Sequence, residues 1–376
     1  MQYCVQCLYP STKPELKFNS DGVCSACFSY TQRMEIDWVS KENQFAEIAK
    51  KNKKKNAAYD CIIPVSGGKD STYQALKAAE YNLKPLCVNS TTCDLSTLGR
   101  KNLDNIKKLG FDVIEYSPNQ KIRKKLNKLG LEIVGDISWP EHVGMFTIPI
   151  TIAKKLGINL ILWGENSQNE YGGPIDAINS DKLDRRWLEE FGGMNSLRVE
   201  DLINTYGFKK KDLIPYIYEK KYNKIFGYFL GHFFPWEGKK NAEIAKKNNF
   251  KYHHKIVEGT CSKYENLDNY QTGIHDYFKY LKYGFGRTTD MVSLMLRRKE
   301  ISRSQGIYLI KKYDGKYPKE YLGKPLKKIL GDIDVTLEKF NEICDQFTNR
   351  NIFKKDKNKK ILKDKNGNLT LKFILK

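Results

Sequence analysis

The stretch CIIPVSGGKDSTYQALKAAEY, residues 61–81, decides the fold. Cys61 to Val65 is a short apolar run bounded by a turn signal, the pattern of a buried strand. Thr72 to Tyr81 reads as a helix. Between them lies Ser66-Gly67-Gly68-Lys69-Asp70-Ser71. Its glycines let the backbone turn tightly and bring N–H groups close to an anion. The helix start adds the positive end of its dipole. Ser66 and Ser71 supply hydroxyls and Lys69 a cation, so the segment is built as a phosphate cradle. It is not a Walker A loop, because Ile63 and Asp70 stand where that motif needs Gly and Ser/Thr. Nor is it a GxGxxG dinucleotide turn. The competing reading is a Gly-containing strand-to-helix turn without a ligand.

The same alternation continues outward. PLCVN (85–89), DVIEYS (112–117) and INLILWGE (158–165) read as strands, and KIFGYFLG (224–231) as a further one. Helical patterns cover Leu95 to Leu109 and residues 145–157. Such alternation predicts an α/β fold, a parallel sheet with helices on both faces. Ligands of such sheets bind beyond the carboxyl ends of the strands. Asn89 and Ser90 end the second strand, and Gly164-Glu165-Asn166-Ser167-Gln168 ends the strand after residue 158. These residues are therefore expected near a nucleotide or its co-substrate. For the 164–168 run the competing reading is a polar helix cap.

Two CxxC pairs open the chain: Cys4, Cys7, Cys24 and Cys27, spaced C-x2-C-x16-C-x2-C. That spacing suits a zinc-ribbon-like unit in which four thiolates close a tetrahedral shell. A structural Zn2+ is expected, rather than four unliganded thiols. A redox role is disfavoured, because neither pair is expected to begin a helix after a strand. Four regions are expected: a Cys4 unit (1–30), a helix and Lys-rich linker (31–56), the phosphate-loop domain (57–235) and a helical C-terminal region (236–376). The tail, from Asn351, reads as a hairpin around a Lys-Asn-Gly-Asn turn.

The chain has 376 residues and a formal net charge of +21. Of its 65 basic residues, 54 are Lys and 11 Arg. Readers of nucleic acid favour the Arg fork, so this balance does not point to a polynucleotide. An anionic small substrate, such as a nucleotide or a sugar acid, fits the charge as well. No apolar run reaches the length of a membrane span, and the start lacks a secretion-signal pattern. A soluble cytoplasmic protein with no membrane partner is expected.

SGGKDS after a buried strand resembles the PP-loop (HUP-like) ATP pyrophosphatase superfamily. The resemblance implies that residues 66–71 hold pyrophosphate while AMP is placed on a substrate oxygen. Three further segments are GENSQNEYGG (164–173), YFLGHFFPWEGKKNAEIAKKNNF (228–250) and the run from Glu258 to Arg303. With the two CxxC pairs they resemble the N-acetyl sugar amidotransferases of O-antigen and pseudaminic or legionaminic acid biosynthesis. That resemblance runs to about residue 320, and the final fifty residues add nothing to it. It implies adenylation of an N-acetyl oxygen and its replacement by ammonia-derived nitrogen, giving an acetamidino sugar. It implies ATP and Mg2+, with Asp70 the metal contact, and a separate glutaminase partner.

On this reading Lys69, Asp70 and Glu165 are catalytic, Glu165 as a base toward ammonium or as a second metal contact. Asn166, Gln168, Glu170, Tyr171 and Arg287 would bind the acetamido sugar, whether free or nucleotide-activated. Arg287 is expected on a Gly-flanked loop, holding a carboxylate or AMP. The alternative is a cap pair with Asp290. His275 is expected to be packed on an amphipathic helix. A rival reading is tRNA thiolation with Cys93 and Cys261 as sulfur carriers, although neither belongs to a CxxC. Cys61 and Cys87 read as small core residues.

Overall fold

The computed structural model describes residues 1–165, 197–218, 225–373 and 375. Two short helices, α1 (Ser25–Arg33) and α2 (Trp38–Asn52), precede the sheet. Then follow β1 (Cys61–Pro64), α3 (Lys69–Glu80), β2 (Pro85–Ser90), α4 (Thr97–Lys108) and β3 (Asp112–Tyr116). Two helices, α5 (Gln120–Val134) and α6 (Trp139–Leu156), lead to β4 (Leu160–Trp163). After α7 (Val199–Asn204) comes β5 (Phe226–Phe229). The rest is largely helical: α8 (Gly238–Lys247), α9 (Thr272–Tyr283), α10 (Arg287–Arg297) and α11 (Arg303–Tyr313). A two-residue pair, β6 (Glu320–Tyr321) and β7 (Lys324–Pro325), precedes α12 (Leu326–Gly331) and α13 (Leu337–Phe347).

Strands β1 to β5 form one sheet in the order β3-β2-β1-β4-β5, every pair parallel. Alternation along β1 explains how both faces are filled. Cys61 and Ile63 enter a cluster with Phe45 of α2, Ala75 and Ala78 of α3 and Leu103 of α4. Ile62 enters another with Phe146, Ile150 and Ala153 of α6. A sheet buried on both faces reads as a continuous apolar run, which is why CIIPV and LILW are so legible. The chain order reverses between β1 and β4. The crevice beyond their carboxyl ends is thus the topological switch point where such sheets bind ligands.

Helix α2 lies in the stretch expected to be helix and basic linker, and its Phe45 is fully buried against the sheet cluster. Helices α5, α11 and α12 had no counterpart in the sequence reading. The tail forms antiparallel bridges, Phe353 with Leu371 and Lys363 with Leu369, and packs on the C-terminal core beside Phe278 and Phe340. No helix among the described residues is long and apolar enough to cross a membrane.

The N-terminal unit brings Cys4, Cys7, Cys24 and Cys27 together, with all four sulfurs within 4.8 Å of one another. Cys4 and Cys27 Sγ are 3.8 Å apart, and Cys7 and Cys24 Sγ 3.5 Å. A tetrahedral zinc with Zn–S near 2.3 Å needs sulfurs about 3.8 Å apart, so the set fits Zn2+. The Cys24–Cys27 pair begins a helix, with Cys24 the N-cap of α1, but that helix does not follow a strand. The thiols of this pair face those of the other pair, so the geometry is that of a four-thiolate site and not of a lone redox pair.

Candidate active site

The loop after β1 is shaped by Gly67. Its φ is +84°, and a Cβ there would lie 2.8 Å from the backbone nitrogen of Leu103. Both features exclude a side chain. Gly67→Ala is expected to destabilise the protein by about 2 kcal/mol or more, read as a lowered melting temperature, and to displace the loop. Gly68 is the N-cap of α3. Its N–H donates to Ser66 Oγ at 3.2 Å, and its carbonyl accepts from Ser71 Oγ and Thr72 Oγ1, each at 3.0 Å. Helix α3 therefore starts at Lys69, three residues before the helical pattern of the sequence.

Lys69 is buried. Its Nζ lies 2.6 Å from Asp70 Oδ2 and 2.8 Å from Glu265 Oε1. Burial alone would lower its pKa, but the two carboxylates override this and hold it well above the ordinary lysine value. Asp70 Oδ1 accepts from Asn241 Nδ2 of α8 at 2.9 Å. Neither Glu265 nor Asn241 was foreseen, since both come from the C-terminal helical part and share no local spacing with the loop.

A cavity of about 420 Å³ opens beyond β1 and β4. Its near wall contains Ser66, Asp70, Ser71, Asn89, Ser90, Gly164 and Glu165. An adjoining cavity of about 380 Å³ shares Asp70 and Glu165 and adds Lys69, Glu265 and Arg298. The expected loop and strand-end residues thus converge on one place. Asn89 is also a tether, because its Nδ2 donates to Val65 O at 2.6 Å. Asn166, Gln168, Glu170 and Tyr171 lie outside the described residues.

The far wall of the larger cavity is contributed by α6, the segment before α9, α9 itself and α10. Arg287 is there, as expected, but not on a loop. It is the first residue of α10, and its Nη2 donates to Asp276 Oδ1 at 3.3 Å. Asp290, the alternative cap partner, accepts from Tyr9 Oη at 3.1 Å and pairs with Lys279. The start of α10 is held by Asp314, which was not foreseen. Its carboxylate accepts from the N–H groups of Gly286 (2.9 Å), Thr288 (2.9 Å) and Thr289 (3.1 Å). Burial pushes its pKa up to about 6 against those donors.

His275 departs from expectation. It is not simply packed. Its Nδ1 lies 2.8 Å from Asp136 Oδ1, and its side chain is on the cavity wall. His142, whose Nδ1 lies 3.2 Å from Asp136 Oδ2, stands beside it. Sequence reasoning missed Asp136 and His142 altogether. Among the described residues, these three and the four N-terminal cysteines are the groups of three or more His, Cys, Asp or Glu side chains whose ligand atoms lie within 4.8 Å of one another.

Of the other cysteines, Cys61, Cys87 and Cys344 are buried, and Cys93 and Cys261 are partly buried. Cys61 and Cys87 are fully buried in their strands. Burial pushes the thiols of Cys93 and Cys261 up to about 12, so both are thiols and not thiolates at neutral pH.

Comparison with known proteins adds one finding. Residues 258–365 match a family model described as LPS biosynthesis protein WbpG-like, C-terminal domain. The match covers Asn266, Asp268, Asn269, Thr272, His275 and Arg287 of the far wall, and α6, which completes that wall, lies outside it. It also runs into the last fifty residues, which carried no diagnostic feature in the sequence reading. It supports a sugar-modifying biosynthetic role. No curated protein matches the chain.

Proposed function

We propose that this protein is a PP-loop ATP-dependent amidotransferase. It would adenylate the oxygen of a sugar N-acetyl group and replace it with ammonia-derived nitrogen, giving an acetamidino sugar and releasing AMP and pyrophosphate. One observation carries the reading. The loop Ser66–Ser71 and the strand end Gly164-Glu165 share a cavity at the sheet's switch point. The opposite wall of that cavity is shared between α6 and residues 266–287, the latter within the region similar to a lipopolysaccharide biosynthesis domain. A phosphate cradle thus faces a sugar-type region across one space.

The chemistry follows from the leaving group. An amide resists ammonia because its oxygen departs poorly, and transfer of AMP to that oxygen makes it a good leaving group. The loop N–H groups, Ser66, Ser71 and Lys69 would hold the departing pyrophosphate. Asp70, fixed by Asn241, would contact Mg2+ on the phosphates. Glu165 would serve as a second metal contact or as a base. Arg287 would meet the sugar carboxylate or AMP, with Asp276 and Asp314 fixing its place. The substrate would be a nonulosonic acid of the pseudaminic or legionaminic type, with a separate glutaminase supplying the ammonia in the cytoplasm.

The test is mass spectrometry of a reaction containing ATP, Mg2+, ammonia and candidate diacetamido sugars. Replacing O by NH lowers the product mass by about one dalton, with AMP and pyrophosphate formed in equal amount. ADP as the nucleotide product would sink the proposal. Cys93→Ser and Cys261→Ser are each expected to keep activity within about threefold of wild type, because ammonia needs no thiol carrier. Substrate binding should weaken only mildly between about 50 and 200 mM salt. An inactive cysteine variant together with steeply salt-dependent tRNA binding would favour thiolation instead.

A further inference from the structure

We propose that His142 and His275 form the proton-accepting end of the site, oriented by Asp136, and that they take protons from the incoming nitrogen nucleophile. This rests on the amidotransferase reading and goes beyond it by assigning the second half of the reaction to residues outside the phosphate loop.

The geometry is that of one carboxylate serving two imidazoles. Asp136 follows the C-terminus of α5, and its N–H donates to Gly130 O at 3.0 Å. A Cβ at Gly130 would lie 2.5 Å from Asp136 O, so the close turn that places Asp136 requires glycine there. Asp136 is 3% exposed, and its Oδ1 also accepts from Ser138 N at 2.9 Å. Each oxygen meets one ring: Oδ2 meets His142 Nδ1 and Oδ1 meets His275 Nδ1. The rings stand edge to face, with centroids 4.8 Å apart. With Nδ1 engaged by the carboxylate, Nε2 is the nitrogen of each ring left for chemistry. The side chains are 30% and 25% exposed, and both line the larger cavity. Of the five histidines in the chain, these two alone do so.

The charges around Asp136 and His142 act in opposite senses. Burial works against ionised Asp136, yet the two histidines keep its pKa well below the ordinary range. Burial also works against protonated His142, while Asp136 and Glu141 raise its pKa and Arg287 opposes them. Lys282 is the further cation that senses Asp136, and Asp268 lines the same cavity. One carboxylate offsets one imidazolium. Two protonated rings in edge-to-face contact would place two cations beside a single carboxylate. Glu165 borders both cavities together with Asp70, at the phosphate-loop end. That position suits a metal contact, and the base role passes to the histidines.

The step balances as follows. Ammonium gives one proton to a neutral imidazole Nε2 and becomes ammonia. Its lone pair forms the new C–N bond at the imidate carbon. The C–O bond breaks, and AMP leaves with that oxygen and the electron pair. The added nitrogen then gives up a second proton to the same couple, which has discharged the first to water through the cavity.

The experiment uses full-length His142→Gln, His275→Gln and Asp136→Asn. It compares sugar-dependent ATP–pyrophosphate exchange, which reads adenylation, with amidine formation from ammonium chloride across a pH series. Metal content and melting are measured in parallel. Exchange is expected to stay within about threefold of wild type in all three variants. Amidine formation near neutral pH is expected to fall by about 10²-fold or more in the histidine variants. It should recover as pH rises and free ammonia replaces ammonium. Unchanged amidine formation overturns the proposal. So does an equal fall in both half-reactions, which would mark a structural or adenylation role. A second metal ion per chain that disappears in His275→Gln overturns it as well. If the wild-type protein adenylates nothing and forms no amidine, the functional reading itself has failed and takes the proposal with it.

Discussion

Lys69→Ala is expected to lower sugar-dependent ATP–pyrophosphate exchange by about 10³-fold, the size of effect seen when one preorganised partner of a developing charge is removed. Lys69 is the cation of the loop, and its position is fixed by two carboxylates, Asp70 and Glu265. Removing it has a second consequence. Asp70 and Glu265 would face one another without a cation, at a cost of about 1–3 kcal/mol. Melting must therefore be followed beside activity. Asp70→Ala separates the two effects, because Lys69 keeps Glu265 as a counter-ion while the proposed Mg2+ contact is lost together with the hydrogen bonds to Lys69 and Asn241. That variant is expected to fold normally and to lose exchange by a comparable factor. Near-normal exchange in both folded variants would place the adenylation site elsewhere.

The loop was legible because its strand, its glycines and its helix start are contiguous in sequence, although Leu103, Asn241 and Glu265 hold it from a distance. The strand before it is buried on both faces, so its apolar run is unbroken. The glycine at 67 is needed by the backbone, with a φ of +84°. The start of α3 was read three residues late, since its first turn is built from Lys69, Asp70 and Ser71, which look like loop chemistry. The near wall of the cavity followed from strand ends alone, and Asn89, Ser90, Gly164 and Glu165 all line it.

Apart from Arg287, the far wall was not legible, and the reason is distance along the chain. His275 and Asp136 are 139 residues apart, and no spacing rule joins them. On its helix His275 looks like one more residue of an amphipathic stripe, in a segment where Ile274, Tyr277, Phe278 and Leu281 supply the buried face. Helix α5 was hidden differently. Its sequence KIRKKLNKLGLEIV is heavy in lysine and contains Gly130, which weakens a helical pattern. Yet Arg123 and Asn127 are buried on it, and Asn127 Nδ2 donates to Ile137 O at 2.7 Å and to Glu141 Oε2 at 2.7 Å. The polar face of this helix thus supports the loop that carries Asp136. That Gly130 permits the turn, and does not break the helix, becomes clear only when the next element packs against it.

Cys4→Ser and Cys27→Ser are expected to lower stability by more than about 4 kcal/mol, the range reached when a structural metal is lost. For a chain of this size that corresponds to a drop of about 5 °C or more in melting temperature. The effect should extend beyond the N-terminal unit because of how the unit is attached. Phe285 completes the cluster around the four cysteines, two residues before Arg287. Ser293 Oγ of α10 donates to Cys7 O at 2.7 Å, and Arg303 Nη1 of α11 donates to Val5 O at 2.8 Å. Tyr9 Oη donates to Asp290 at 3.1 Å. Loss of the metal loosens these attachments and, with them, the N-terminal end of α10, where Arg287 meets the cavity. Activity should therefore fall with zinc content, and purified protein should carry one zinc per chain in the Cys4 site. Metal analysis and melting curves before and after chelation check this. Metal-free protein that melts like the untreated protein would remove zinc from the account of this fold.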